Sequence, residues 1–585
     1  MRLFIRSFAL ALVSPAAVLA VALAALTSAA CGDDGGSGPA DAGVDARLEG
    51  FDQPDEICPG ASHCASAGDG VLHVGGGKRI FTPVITETFT DENMDGEWDD
   101  SEPFVDADGD GKFDALWLFG GGRAANAVET DLEARAVAFK QGDTLAVIVY
   151  CDAIGLLAGD IDLVRNDPRV AAIGVDHVIV GAIHGHDSVD TIGLWGPQAL
   201  VTGYNPEYNA RVREGAVGAI QDAVAALTPA TMVIAKTLLL NEPGNPTSRT
   251  ERWNQDIRDP KIFDPTMTIA RFVRADAPTT TIATVVNWAD HPEVSTFGDD
   301  NLKISSHFVH WLRVGLETGI PAGTYTNPPN AEIPGLGGVA VYVQGALGGQ
   351  VGSIRNTAPL DFAGVPMTDH SNGHLFERVL GTNLARRALE VLAAEGESVS
   401  ELPLSYRSAR FHALVQNVGF QAAFIIGLLA PHPLVGYDMS QPVGPGNEPW
   451  IPLRATYLQV GPLGLITSPG ELHPELWVGG YDGSWSWGWP MLNTALPNAP
   501  NLADAPEPPY LRDLVLANPG VRYPVLAGLA FDFVGYIVPS YNYVLHPSSP
   551  YISEAEGEHY EETYSLGPLV EQHALHPLLD LAAWR

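Results

Sequence analysis

The sequence predicts an α/β fold of mixed, largely buried β-sheets flanked by helices, with a more β-rich last third. Three observations lead there. Apolar runs of strand length recur along the body, segments with helical spacing separate them, and from about residue 399 Gly, Pro and aromatic residues become frequent. Continuous apolar strands alternating with helices belong to parallel or mixed sheets covered on both faces. In chain order, strands are expected at residues 144–151 (TLAVIVYC), 177–183 (HVIVGAI), 232–240, 280–287 (TTIATVVN) and 339–343 (VAVYV). Helices are expected at residues 206–227, opened by Asn205-Pro206, and at 304–316 and 374–394. In such sheets, functional groups collect at strand ends.

The first residues point to export. Arg2 and Arg6 precede an apolar run from Phe8 to Leu26, and Thr27-Ser28-Ala29-Ala30 leads to Cys31. A charged start, an apolar middle and a small-residue exit describe a signal peptide. A cysteine at the exit, followed by Gly32-Asp33-Asp34-Gly35, suggests lipid attachment at Cys31 and a bacterial cell-envelope lipoprotein, although Ser28 stands where such a motif usually has Leu. Residues 1–30 are then the signal peptide and 31–55 a flexible tether too poor in apolar groups to order itself. Residues 56–585 form the catalytic domain, with an acidic insertion at 91–114.

The formal net charge of −38 excludes nucleic acid as the partner. Of the four cysteines, Cys58 and Cys64 are close enough for a short disulfide in an exported chain, and Cys151 reads as a buried thiol.

Four constellations carry chemistry. His184-Gly185-His186 leaves the strand HVIVGAI, and residues i and i+2 of extended chain point to one side. Asn287-Trp288-Ala289-Asp290-His291-Pro292 ends another apolar strand. Ser468-Pro469-Gly470-Glu471 follows a third, and Phe531-Asp532-Phe533-Val534-Gly535-Tyr536 lies in the β-rich part. Each alone has a structural explanation. Together they offer nitrogen donors, a carboxylate and a phenol, a ligand set suited to zinc with a position left for water. Zinc acidifies that water until it can attack a carbonyl near neutral pH.

These residues resemble the neutral, non-lysosomal ceramidases, zinc amidases, from about Val74 to Pro568. The family's His-Thr-His-Ser-Gly-Pro is matched by His184-Gly185-His186-Asp187-Ser188, its Asn-Trp pair and histidine by Asn287-Trp288 and His291, and its Pro-Gly-Glu turn by Pro469-Gly470-Glu471. Gly528-Leu529 through Phe533 to Tyr536, Tyr560-Glu561 and Ser565-Leu566-Gly567-Pro568 match further segments. The resemblance implies zinc held by His184, His291, Glu471 and Tyr536, and proton transfer or oxyanion stabilisation by His186. It also implies Arg258 gripping the polar end of the substrate, with Arg249 as second choice, and Tyr560 lining the site. The substrate would be ceramide or a related N-acyl lipid. Departures are the segment Gln344-Gly345-Ala346-Leu347-Gly348-Gly349-Gln350-Val351-Gly352-Ser353, His307 where an acidic residue is common, and the expected lack of a C-terminal β-sandwich.

Within the acidic insertion, Asp91, Asn93, Asp95, Glu97 and Glu102, with Gly96 at the turn, follow the twelve-residue calcium loop. The run Asp106-Ala107-Asp108-Gly109-Asp110-Gly111 starts the same pattern but has Trp117 at position 12. A structural calcium ion is therefore expected in the first loop, with the second left open. Two other readings are a zinc hydrolase for a different amide or ester and a non-catalytic calcium-binding surface lipoprotein. A serine nucleophile at Ser188 or Ser353 lacks the Gly-x-Ser-x-Gly elbow.

Overall fold

The computed structural model describes residues 53–240, 255–256, 258–351 and 359–584. The expected signal peptide, Cys31 and most of the tether lie outside the described residues, as do Arg249 and Ser353.

The architecture is mixed α/β, as expected. A nine-stranded sheet runs in the order Val339–Gln344, Ala277–Trp288, Thr266–Arg274, Thr228–Leu238, His73–Ile80, Glu133–Gln141, Thr144–Cys151, His177–Ala182, with Glu397–Val399 paired to Thr228–Leu238. The outermost pair at each end is parallel and the ladders between are antiparallel. Thr144–Cys151 and His177–Ala182 are buried at every position, which explains their unbroken apolar sequence. Helix Pro206–Ala225 packs on His73–Ile80 and Glu133–Gln141, while His307–Thr318 and Gly373–Glu395 pack on each other. Asn205 caps the first of these helices, its side chain accepting from Glu207 and Tyr208 N–H.

The β-rich last third is a five-stranded sheet, Glu56–Cys58, Leu404–Leu414, Trp450–Val460, Leu463–Thr467 and Tyr523–Ala527. Its first strand comes from the N-terminal side of the chain and is closed by the Cys58–Cys64 disulfide. Cys151 is a buried free thiol.

One side chain explains how distant strands come to share a site. His177–Ala182 lies at one edge of the large sheet, and Ala277–Trp288 lies one strand in from the other edge. Gln344, fully buried, donates from Nε2 to the carbonyl oxygens of Ile183 (2.9 Å) and Asp290 (2.8 Å). Its Oε1 accepts from Asp290 N–H at 3.3 Å and Gly345 N–H at 3.1 Å. The sheet therefore curls until both edges meet across one amide. The backbone adds a second tie, His186 N–H to Pro292 O at 3.0 Å.

Candidate metal centre

His184 leaves its strand in a left-handed conformation (φ 67°), and its N–H bonds to Ala153 O at 3.0 Å. That turn aims its ring inward. Its Nδ1 lies 2.7 Å from the carbonyl oxygen of Ile154. A carbonyl only accepts, so Nδ1 carries the hydrogen and Nε2 keeps its lone pair. His291 repeats the device, with Nδ1 2.7 Å from the carbonyl oxygen of Gln350. Outer-sphere carbonyls of this kind fix the tautomer of metal-ligating histidines.

Both Nε2 atoms face one carboxylate oxygen, and that of His291 is hydrogen-bonded to it. Oε2 of Glu471 is 3.0 Å from His291 Nε2 and 3.6 Å from His184 Nε2. Tyr536 OH is 3.4 Å from His291 Nε2 and 3.2 Å from Tyr560 OH. Glu471 and Tyr536 reach the site on a short parallel ribbon that needs close backbone approach. Gly535 (φ 71°) has no room for a Cβ, which would lie 1.8 Å from Tyr564 O.

His186 joins this group. Ring nitrogens of His184, His186 and His291 lie within 4.8 Å of one another, all buried. Neither nitrogen of His186 has a hydrogen-bond partner among the described residues. Its ring packs on Phe119 at a centroid distance of 4.0 Å, and its Nδ1 is 3.7 Å from Glu293 Oε2. The family resemblance implied proton transfer or oxyanion stabilisation by His186; by position it is equally a candidate ligand.

The electrostatics suit a cation. Burial lowers His184 to about 4 and drives His186 well below the usual imidazole value, so both rings are neutral at neutral pH. Burial also opposes charge on Glu471, but His184 and His291 outweigh it and hold the carboxyl below its ordinary value. For His291, burial is outweighed by the Glu471 hydrogen bond and the charges of Glu293 and Glu471, and its pKa is raised. Burial, with Glu471 and Tyr560 nearby, keeps the Tyr536 phenol protonated far above pH 10. Neutral His184 and His186 beside an ionised Glu471 match the donor set of a zinc site, and a cation there would displace the proton that Glu471 holds on His291.

Arg258 is placed differently from the expectation. Its guanidinium donates to Glu561 at 3.0 Å, to Glu562 at 3.0 and 2.7 Å, and to Asn542 O. Two adjacent carboxylates draw it into the protein, so it anchors the Tyr560–Tyr564 turn that seats Tyr560 against Tyr536. Ser188 is buried and donates to Gly185 O at 2.7 Å, a structural bond. His307 accepts from Ser295 N–H at 3.3 Å and lies 4.0 Å from Glu377. It belongs to a buried network in which Asp187 accepts from Arg123 (3.0 Å), Thr296 (2.9 Å) and Ser295, bracing the turn after His186.

The sequence reading missed Glu293 and His473. Both are buried, Glu293 beside His186 and His473 with its ring 6.0 Å from that of Tyr536. Each lies two residues beyond a candidate ligand, a spacing that was available as a signal.

In the acidic insertion, two loops share one set of hydrogen bonds. Asp91 accepts from Asp95 and Gly96 N–H, Asn93 from Asp95 N–H, and Asp95 from Glu97 N–H. Glu102 accepts from Glu92 at 2.9 Å and Asp99 at 3.3 Å. In the second loop, Asp106 accepts from Gly109 and Gly111, Asp108 from Asp110, and Asp110 from Lys112. The role of Glu102 falls to Glu87, which accepts from Ala107 at 2.9 Å and Asp114 at 2.7 Å. Trp117 is thus not the terminal position of that loop; a buried glutamate from upstream is. Glu87, Asp106 and Asp108 form one possible cation group and Asp108, Asp110 and Asp114 another.

The fold is that of the neutral ceramidases. The neutral ceramidase from Pseudomonas aeruginosa matches with a TM-score of 0.55 at 15% identity, covering 88% of this chain and 74% of that one. A ceramidase complexed with C2 matches with a TM-score of 0.56 at 14% identity, covering 88% and 75%. No family model matches the chain, and no curated protein matches it in sequence.

Proposed function

We propose that the chain is a zinc-dependent hydrolase of the neutral ceramidase family, exported and held to the cell envelope through lipid on Cys31, that cleaves the amide bond of ceramide or a related N-acyl lipid. One observation carries the reading: two histidines whose Nδ1 atoms are held by main-chain carbonyls turn their Nε2 atoms toward the same Glu471 oxygen. His184, His291 and Glu471 would hold the metal, with Tyr536 and His186 completing its surroundings. When bound, zinc supplies Lewis-acid polarisation of the amide carbonyl and lowers the pKa of water.

The chain's own residues supply the rest. His186 is neutral, with neither nitrogen hydrogen-bonded among the described residues, and takes the proton released as water attacks. Burial keeps Tyr536 and Tyr560 protonated, so either phenol can donate a hydrogen bond to the negative oxygen that develops on the carbonyl carbon. Glu293, beside His186, orients that ring as it gains charge. Arg258 keeps the Tyr560 turn in register rather than touching substrate. In the acidic insertion, calcium would be bound by Asp91, Asn93, Asp95, Glu97 and Glu102, and in the second loop by Asp106, Asp108, Asp110, Asp114 and Glu87.

A different amide or an ester is the second reading. It is favoured by the altered loop after Gln344, which supplies the carbonyl that orients His291 and donates Gly348 N–H to Leu472 O at 3.0 Å. Metal analysis followed by a panel of N-acyl lipids and simple esters, with and without chelator and with calcium present, tests both. About one zinc per chain and chelator-sensitive amide release are expected. Zinc-free protein with no turnover would overturn the assignment.

A further inference from the structure

Three imidazoles meet at the metal centre, and they are held in different ways. The rings of His184 and His291 each have a main-chain carbonyl oxygen 2.7 Å from Nδ1. The His186 ring has no such tie, since neither of its nitrogens is hydrogen-bonded among the described residues. Glu293 Oε2, 3.7 Å from its Nδ1, is beyond hydrogen-bond reach. Rotation about the bond that carries an imidazole has only a broad torsional preference, so a buried ring without hydrogen bonds takes its orientation from packing. His184 and His291 meet the His186 ring edge-on, with centroids 4.8 and 5.7 Å away. The half-buried Phe119 is the ring laid against it, at 4.0 Å and 39°.

Phe119 is itself placed by the turn that carries His186. Trp117 and Ala124 are antiparallel partners, and Leu118 N–H bonds to Arg123 O at 2.8 Å, so residues 117–124 form a hairpin with Phe119 at its tip. Gly120, Gly121 and Gly122 follow with φ of 113°, 76° and 68°, a run that residues with a Cβ rarely adopt. The buried Arg123 donates from Nη1 to Phe119 O at 2.6 Å and from Nη2 to Asp187 at 3.0 Å. One guanidinium thus ties the main chain of Phe119 to the residue after His186. Trp195 packs on Phe119 with centroids 4.7 Å apart, and its loop is joined to the hairpin by Gly122 N–H to Gly196 O at 2.9 Å. Asp190, fully buried, holds that loop by accepting from Ile192, Gly193 and Trp195 N–H, each at 2.9 Å.

We infer that Phe119 is the positioning residue of His186: its ring, placed by Arg123 and packed on Trp195, keeps the imidazole turned with a nitrogen toward those of His184 and His291. A leucine at 119 would fill much of the same volume but offers no flat face, and the imidazole would be left to rotate. The use made of His186 in catalysis rests on the function proposed above; its orientation by Phe119 does not.

The test compares Phe119→Leu with Phe119→Tyr, which keeps the ring, in the zinc-loaded full chain acting on a short-chain ceramide. Phe119→Leu should lower kcat by at least about tenfold and leave KM within about twofold, because the group misplaced is one that acts on the reacting atoms. Phe119→Tyr should stay within about threefold of the parent in both. Crystal structures of the two variants give a readout that needs no turnover. The His186 ring should be rotated or split between two orientations in Phe119→Leu and parental in Phe119→Tyr. A parental ring in Phe119→Leu overturns the inference. So does an unchanged kcat, a rise in KM alone, which would make Phe119 a wall for the substrate, or an equal loss in both variants. If the parent cleaves no N-acyl substrate yet the ring turns in Phe119→Leu and not in Phe119→Tyr, the function falls and the positioning role stands.

Discussion

Glu471 and Tyr536 are register partners in a two-stranded parallel ribbon, Glu471–Leu472 against Tyr536–Ile537. Partners in register present their side chains to the same face. A ribbon of two residues per strand therefore delivers a carboxylate and a phenol to His184 and His291 as one unit. Glu471→Ala should lower hydrolysis by more than about a hundredfold, since loss of even an outer-sphere partner at a metal site costs ten- to a hundredfold. Far-UV circular dichroism should be unchanged and bound zinc should fall. Full activity with full zinc would remove Glu471 from the centre.

Arg258 separates two roles by what its loss disturbs. Replacing it with Met leaves Glu561 buried without its cation and Glu562 with His559 alone. Breaking a buried pair in this way costs about 3–5 kcal/mol. Denaturant unfolding should register that loss, with the Tyr560 contact to Tyr536 disturbed as well. A variant of parental stability whose only defect is a raised KM would return Arg258 to substrate binding.

Glu87 and Glu102 occupy equivalent places in the two acidic loops. Calcium titration by calorimetry should find two sites. Glu102→Gln should remove one and Glu87→Gln the other, although Glu87 lies outside the loop it completes. At a free calcium concentration of a hundred times Kd, each site contributes about 2.7 kcal/mol to stability. A calcium-selective chelator should therefore lower Tm by several degrees, and unchanged stoichiometry in Glu87→Gln would refute the pairing.

His177 gives stability a pH dependence that does not involve the metal centre. It is buried, bonded to Thr456 at 2.8 Å and to Glu56 at 3.2 Å. Burial outweighs Glu56 and lowers its pKa from 6.5 to about 4. The unfolded chain therefore binds a proton that the folded chain refuses, so stability falls as pH drops from 6.5 toward 4. The full effect is about 3 kcal/mol at the acid end of that window. Urea unfolding of the metal-depleted protein at pH 7 and pH 5 should show a decline that His177→Gln reduces. An equal decline in the variant would place the acid sensitivity elsewhere.

Much of the fold was legible because its cause is local. The apolar run 144–151 forms a strand with those bounds, and the run at 177–183 forms a strand one residue shorter, because full burial favours apolar side chains between Thr144 and His177 at their starts and the strand ends. Asn205-Pro206 opens a helix because the side chain satisfies free N–H groups. Helix 307–318 begins three residues later than its apolar spacing suggested, since Ser305 and Ser306 are drawn into hydrogen bonds with Thr130. Other features have no local cause. Trp117 could be counted into the second acidic loop only along the chain; Glu87 reaches it through space. Arg258 looked free to bind substrate until Glu561 and Glu562, some three hundred residues away, were found against it.

The sequence by itself determined the chemical types at the centre: imidazoles after two buried strands, a glutamate after a Pro-Gly turn and a tyrosine after a glycine, each marked by its neighbours. Only the tertiary structure decided that they meet. The strands bearing His184 and His291 lie at or near opposite edges of a nine-stranded sheet, and spacing along the chain does not encode how far that sheet curls. The curl is set by strand twist and is closed by the buried Gln344 amide, which satisfies carbonyls on both sides of the seam. The same closure brings Ile154 and Gln350 carbonyls against the two rings, and so chooses which nitrogen of each faces Glu471.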